Sequence, residues 1–232
     1  MMPSQKSVVR GMYWEAGYMH KRRFMSFWHQ IRLLMNLEPE LVLEIGRGTG
    51  LTSTCLKSWG LKVFTLDIDF RLEPDAAGSC LFIPFKNNSF DAVACFQVLE
   101  HLPFEDFELC LAQLREVTRK WVVLSLPDAS RVMSCSFKLP GAKTLEVLLP
   151  LPFPRSRHKF DGEHYWEINK RGYSLKNIRT RLEKYFILRQ SFQVHENPYH
   201  RFFVLEKKEP AAETFLGSGK NHTAEIKNNL RR

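Results

Sequence analysis

Residues Leu41-Val42-Leu43-Glu44-Ile45 form a short apolar run that enters Gly46-Arg47-Gly48-Thr49-Gly50 without interruption. A run of that length bounded by glycine reads as a buried strand. Glycines at alternate positions directly after it let the backbone turn tightly and approach a ligand with no side chain in the way. A helix through Thr52 to Ser58 follows. Strand, glycine loop and helix together are the opening unit of an open α/β sheet, and no other stretch constrains the fold as much.

The rest of the chain keeps that rhythm up to residue 128. Arg22 to Leu37 reads as an amphipathic helix ahead of the core, with Phe24, Phe27, Trp28, Ile31, Leu34 and Met35 near one stripe. Leu61 to Leu66 is a second strand ending on Asp67, Cys80 to Ile83 a weaker third, and Phe90 to Cys95 a fourth. Phe107, Cys110, Leu111, Leu114 and Val117 recur at helical spacing, and Trp121 to Leu126 is a fifth strand closed by Pro127. Ser130 to Pro154, apolar and proline-rich, reads as an inserted cap or helix over the crevice at the strand ends. Ser174 reads as the N-cap of a helix carrying Leu175, Ile178 and Leu182, and Phe186 to Val194 and Arg201 to Glu206 as two closing strands. The expectation is a Rossmann-like, doubly wound α/β fold: a seven-stranded, mostly parallel sheet with helices on both faces and its ligand crevice at the carboxyl ends of the strands. In domain terms, residues 1–40 are a helical lid or extension, 41–208 the main domain with an insert at about 129–172 on the substrate side, and 209–232 a disordered tail.

Charge is distributed unevenly. Leu41 to Ser130 holds eight Lys/Arg against twelve Asp/Glu, a net of −4, whereas Arg155 to Lys208 holds thirteen against six, a net of +7. The basic surplus therefore lies outside the glycine-bearing segment, and the C-terminal part either meets an anionic partner or is a solvated basic surface. Five scattered cysteines (55, 80, 95, 110, 135) with no CxxC pair read as reduced, small apolar side chains. No apolar run is long enough to span a bilayer, and the first ten residues lack a secretory pattern, so a cytoplasmic location is expected.

The third glycine of a dinucleotide fingerprint would stand at position 51, which is Leu51; the spacing is GxGxG, which counts against a dehydrogenase. Asp67, about 20 residues on, ends the second strand where an acid accepts hydrogen bonds from ribose hydroxyls. Four stretches in order, Leu43 to Gly50, Leu66-Asp67-Ile68-Asp69, Ile83 to Asp91 and Gln97-Val98-Leu99-Glu100-His101-Leu102, resemble the motifs of class I S-adenosylmethionine-dependent methyltransferases, closest to the small-molecule branch called the type 11 methyltransferase domain. The resemblance covers roughly Leu41 to Pro127. It implies S-adenosyl-L-methionine as cofactor. Glu44 and the backbone of Gly46, Gly48 and Gly50 would hold the methionine part, Asp67 the ribose and Ile68 the adenine face, with Phe96 and Gln97 bordering the methyl group. Two positions depart from the family pattern. Ser79, a cofactor-binding candidate with Cys80, stands where an Asp commonly meets the adenine amine, so that adenine recognition is either weaker or falls to the Cys80 backbone, and the bulky Arg47 replaces a small residue in the glycine loop.

Methyl transfer is an in-line displacement in which the protein mainly supplies alignment, and a base is needed only if the acceptor must lose a proton. His101 is a candidate base or a loop cap. The segment His158 to Glu167 offers His164 or Tyr165 as base or donor; its spacing fits no zinc pattern, so no metal is expected. Tyr13, Trp14 and Tyr18 are either an aromatic lid or packing on the sheet edge, and Arg155, Arg157 and Lys159 either grip an anionic group or are solvated. The leading expectation is methylation of a small or lipid-linked acceptor. The alternatives are an RNA or protein methyltransferase, suggested by the basic C-terminal part and Lys21-Arg22-Arg23, and a non-catalytic protein that keeps the fold as an interaction scaffold.

Overall fold

The structure, a computed structural model, describes residues 13, 15 and 17–209. Trp14 and the expected tail beyond residue 209 lie outside the described residues. Seven strands form one sheet in the order β3-β2-β1-β4-β5-β9-β8, comprising β1 (Leu41–Ile45), β2 (Lys62–Asp67), β3 (Ala76–Ala77), β4 (Phe90–Phe96), β5 (Thr118–Pro127), β8 (Phe186–Gln193) and β9 (His200–Lys207). The first five run parallel, while β9 pairs antiparallel with both β5 and β8. The helices are α1 (Lys21–Asn36), α2 (Leu51–Ser58), α3 (Phe107–Val117) and α4 (Leu175–Tyr185).

Alternation along each strand divides the core in two, because successive side chains point to opposite faces. Leu43, Val93, Val122 and Phe203 pack with Cys110, Leu111 and Leu114 of α3 and Ile178 and Leu182 of α4. Their neighbours Val42, Ala92, Ala94, Val123 and Phe202 pack with Leu34 of α1 and Leu56 of α2. The chain leaves β1 for β2 on one side, then returns across β1 to β4 on the other. The resulting switch point opens a crevice between the carboxyl ends of β1 and β4.

Three local expectations are corrected. Cys80 to Ile83 is not a strand: a Ser79–Phe82 bridge closes it into a tight turn, and the edge strand is the two-residue β3, in register with Leu66 and Asp67. Gly78 on one side and Pro84 on the other leave too little chain for a ladder. Ser130 to Pro154 contains no helix but an antiparallel hairpin, β6 (Val132–Phe137) and β7 (Leu145–Pro150), which forms a separate two-stranded sheet. Pro140-Gly141 breaks any helix and supplies the turn. The hairpin is held to the body at His195, whose carbonyl accepts from Ser134 Oγ at 3.1 Å and whose Nε2 lies 3.2 Å from the Cys135 carbonyl. None of its residues lines the cavity described below.

The third correction concerns α1. Phe24 and Trp28, placed on the buried stripe by periodicity, are exposed, while Ser26, Gln30 and Leu34 are buried. The polar pair is satisfied across elements: Thr52 Oγ1 donates to Gln30 Oε1 at 2.7 Å and Asn197 Nδ2 donates to Ser26 Oγ at 3.0 Å. Buried polar groups with partners are tolerated and fix one helix orientation.

Candidate functional site

The crevice is a cavity of about 320 Å³. One end is built by the β1–α2 loop. Gly46, Gly48 and Gly50 have φ of +79°, +51° and +72°, the left-handed region in which a side chain is strained. At Gly46 an added Cβ would stand 2.3 Å from Val98 Cγ2, so the position has neither the conformation nor the room for alanine. Arg47 bends away from the loop, its Nη1 donating to the Leu72 carbonyl, and its guanidinium covers Gly50, where an added Cβ would lie 2.9 Å from Cζ. The large residue is thus accommodated by the glycine three positions on.

Two carboxyls serve this end. Glu44, 3 % exposed, lines the cavity with Oε2 unpartnered. Burial pushes its carboxyl up to about 8, against hydrogen bonding by Ser53 and the charge of Arg47, which pull it down. Asp67, at the end of β2, accepts the Asp69 N–H at 2.9 Å and more weakly the Gly48 N–H at 3.4 Å. Burial again raises its pKa, with those backbone donors opposing. Ile68 lies beside it on the cavity wall, partly exposed.

The other end is assembled from three distant segments. Gln97, at φ +54°, follows β4. Its amide accepts the Leu126 N–H at 3.1 Å and donates to Glu100 Oε1 at 3.3 Å. Residues 163–168 are stitched onto this turn by backbone bonds, Tyr165 N–H to the Glu100 carbonyl at 2.8 Å and Ile168 N–H to the Pro127 carbonyl at 2.9 Å, and by the buried Trp166 indole donating to the Leu102 carbonyl at 3.1 Å. That stitching brings His164 against His101, ring centroids 5.0 Å apart and edge to face. Tyr199, from the β8–β9 connection, donates its hydroxyl to Glu167 Oε1 at 2.6 Å and lies 3.2 Å from His164 Nδ1.

Burial and the charge of His164 hold His101 down at about 4, so its ring is neutral at pH 7. At His164 burial also lowers the pKa, but the Glu167 hydrogen bond and the charges of Glu100, Asp161 and Glu167 outweigh it and the net shift is upward. Burial raises Glu100 to about 7, with His164 opposing.

Of the residues singled out in the sequence, Glu44, Gly46, Gly48, Asp67, Ile68, Phe96, Gln97, His101 and His164 line this one cavity. Gly50 sits behind the loop as the residue before α2. Ser79 and Cys80 are not part of the lining: Cys80 Sγ is 3.5 Å from Cys110 Sγ in the core. Nor is Tyr165, whose ring packs on Phe160. Tyr13 and Tyr18 do line the cavity, rings 5.1 Å apart and Tyr13 against Gly48, with the Arg23 guanidinium 4.0 Å over Tyr18.

Sequence reasoning missed Gln30, Glu163, Tyr199 and His200 as lining residues. A signal existed for the last two. A strand antiparallel to β5 begins where β5 ends, with Pro127 paired to His200, so the residues that open β9 must sit at the crevice edge.

Residues 43–125 match a family model described as a methyltransferase domain. Among curated proteins, none matches the chain. Solved structures with a similar fold include the PH0226 protein from Pyrococcus horikoshii OT3 (15 % identity, TM-score 0.55, covering 84 % of this chain and 93 % of that one). Magnesium protoporphyrin IX methyltransferase from Synechocystis PCC 6803, solved with bound S-adenosylmethionine, is similar at 15 % identity and TM-score 0.55, covering 89 % of this chain and 98 % of that one. The 1,6-didemethyltoxoflavin-N1-methyltransferase of Burkholderia thailandensis is similar at 12 % identity and TM-score 0.55, covering 82 % and 80 %. Among the described residues no helix is long and apolar enough to cross a membrane. Residues 43–125 thus match a methyltransferase domain, and the chain has the fold of the class I S-adenosylmethionine-dependent methyltransferases.

Proposed function

We propose that the chain is a methyltransferase that binds S-adenosyl-L-methionine through Glu44, the Gly46–Gly50 loop and Asp67, and acts on a small-molecule or lipid-linked acceptor. The observation that carries this reading is the buried Glu44 carboxyl: one oxygen has no partner among the described residues, and Glu44 lines the cavity. A buried acceptor left unpaired is costly, and a ligand ammonium would satisfy it with a charge-assisted bond. Glycines at 46 and 48 leave room for the ligand's backbone-like part, and Asp67 keeps lone pairs for two hydroxyls beyond those its backbone donors use. The residues present therefore fit the cofactor.

When bound, S-adenosyl-L-methionine supplies an electrophilic methyl group on a sulfonium. The protein's own part is alignment. Phe96 and Gln97 border the cavity between the two ends, and the fixed left-handed turn at Gln97 sets the direction from one to the other. Tyr13 lies against Gly48 with Tyr18 beside it, and the pair would shield the glycine loop from water. His101 and His164 stand at the acceptor end, where an imidazole can hold or receive a proton from an oxygen or nitrogen nucleophile. Relatives of this fold named for a porphyrin and for a toxoflavin precursor share the donor but not the acceptor, which supports the small-molecule reading without choosing the molecule.

The test is calorimetric titration of the full chain with S-adenosyl-L-methionine and with its demethylated product. One site per chain is expected for each. Absence of binding at physiological cofactor concentration would sink the reading.

A further inference from the structure

Glu100, His101 and His164 each bring one potential ligand atom to within 4.8 Å of the others. They come from chain segments more than 60 residues apart and meet only because Tyr165 and Trp166 are bonded to the 100–102 turn. Glu100 is completely buried, and after Gln97 has donated to Oε1, its Oε2 has no hydrogen-bond partner among the described residues. A buried carboxylate oxygen beside two imidazoles and without a donor has the chemistry of a metal ligand awaiting its ion.

The surroundings support the same assignment. His101 Nδ1 lies 3.1 Å from the Glu163 carbonyl, while His164 Nδ1 lies 3.4 Å from Glu167 Oε1 and 3.2 Å from the Tyr199 hydroxyl. Tyr199 in turn is fixed on Glu167. Each ring is thus oriented by an oxygen on one nitrogen, the arrangement that sets tautomer and direction in ligating histidines. A neighbouring group, Asp161, His164 and Glu167, also clusters. It is the weaker candidate. Asp161 is exposed and already accepts the Glu163 and His164 N–H groups, and Glu167 is engaged by Tyr199 and Lys170.

Resting on the methyl-donor reading above, we propose that Glu100, His101 and His164 form a binding site for a divalent transition-metal cation at the acceptor end of the cavity, in which the two imidazoles hold the ion in place of the acceptor's proton. Imidazole and carboxylate donors suit manganese, iron, cobalt or zinc. Three protein ligands leave open positions, and His101 and His164 line the cavity into which they would face. The acceptor class that fits is one presenting an anionic or ionisable oxygen to the metal, such as a phenol, enol or carboxylate; the metal would orient that oxygen and lower its pKa. The local spacing within His158–Glu167 gave no such pattern because two of the three ligands lie outside it.

The experiment strips the full chain with a chelator, desalts it, and titrates it separately with Mn²⁺, Co²⁺ and Zn²⁺ alone by calorimetry, with Co²⁺ also followed by its visible absorption. One equivalent of at least one ion is expected, together with Co²⁺ bands characteristic of nitrogen and oxygen ligands. Glu100→Gln and His164→Ala are expected to abolish that binding, and Tyr199→Phe, which leaves the ligands in place, to weaken it about 10–100-fold. Thermal melts of each variant establish that it is folded before it is scored. A parallel titration of the metal-free protein with S-adenosyl-L-methionine separates the two readings. Cofactor binding without stoichiometric metal, or metal binding indifferent to Glu100→Gln and His164→Ala in folded protein, overturns the metal site and leaves the donor site standing. Loss of cofactor binding alone overturns the donor reading.

Discussion

Glu44→Gln should make the protein more stable and a worse binder of its cofactor, and the two effects have separate pH signatures. Burial raises the Glu44 carboxyl from its ordinary value of 4.5 to about 8 in the folded chain. A raised folded-state pKa means that the fold binds a proton the unfolded chain has released; the group's contribution to stability is complete below pH 4.5 and is lost as pH rises toward 8. Each pH unit in that window costs about 1.4 kcal/mol, so at pH 7 the wild-type carboxyl costs about 3 kcal/mol relative to a neutral group of the same shape. Glutamine is that group. The variant should therefore melt about 6–12 °C higher at pH 7, by the usual scaling for chains of this size, with the gap closing at pH 4.5. The cofactor's ammonium, in contrast, would lose a charge-assisted hydrogen bond worth about 1.5–3 kcal/mol, or about 10–150-fold in affinity. Wild-type affinity should also climb between pH 6 and 7.5 as Glu44 ionises, while that of the variant stays flat. Scanning calorimetry at pH 4.5, 6 and 7, and titration with S-adenosyl-L-methionine at pH 6 and 7.5, read both quantities. A melting difference that is independent of pH, together with undiminished affinity, would refute the argument.

Asp67→Ala should weaken cofactor binding by about 1–3 kcal/mol by leaving ribose hydroxyls without an acceptor, read by the same titration; unchanged affinity would show that the ribose lies elsewhere. Gly46→Ala meets both a φ of +79° and Val98 Cγ2 at 2.3 Å, so it should lower the melting temperature and cofactor affinity together, whereas the same change at Gly60, which has φ +92° but nothing within 4 Å, should cost stability alone. Trp166→Ala should cost about 3–5 kcal/mol in denaturant unfolding, because the side chain is wholly buried and its indole N–H ties the 163–168 segment to Leu102. A loss under 1 kcal/mol would show that the segment is held by its backbone bonds alone.

The legibility of the fold followed the range of the forces that make each element. β1, β2, β4 and β5 were readable to within a few residues because each is a largely apolar run, cut off by glycine in β1, an acid in β2 and proline in β5, and the burial of a central parallel strand leaves that mark locally. β3 left none: it is two residues long and exists because Ala76 and Ala77 reach the free edge of β2. The hairpin was misread for a related reason. Leu145-Glu146-Val147-Leu148-Leu149 has no clean alternation, so its pairing with residues 132–137 had to come from the partner strand rather than from its own period. In α1 the periodicity was present but misled, since Ser26 and Gln30 point inward to partners on α2 and in the β8–β9 connection that no local pattern can contain.

The two ends of the cavity differ in the same way, and the difference bears on what each can specify. The donor end, Glu44 through Gly48 with Asp67 and Ile68, lies on two adjacent strands and their loops, so its chemistry is written in two short stretches of sequence. The acceptor end draws His101, Glu163, His164, Tyr199 and His200 from three segments, joined by hydrogen bonds between residues as far apart as Glu100 and Tyr165 or His164 and Tyr199. Substitution at any one of these segments reshapes that end without disturbing the glycine loop. On the proposed reading such a fold would keep its methyl donor while its acceptor changes, which accounts for a donor end legible in the motifs and an acceptor end that is not.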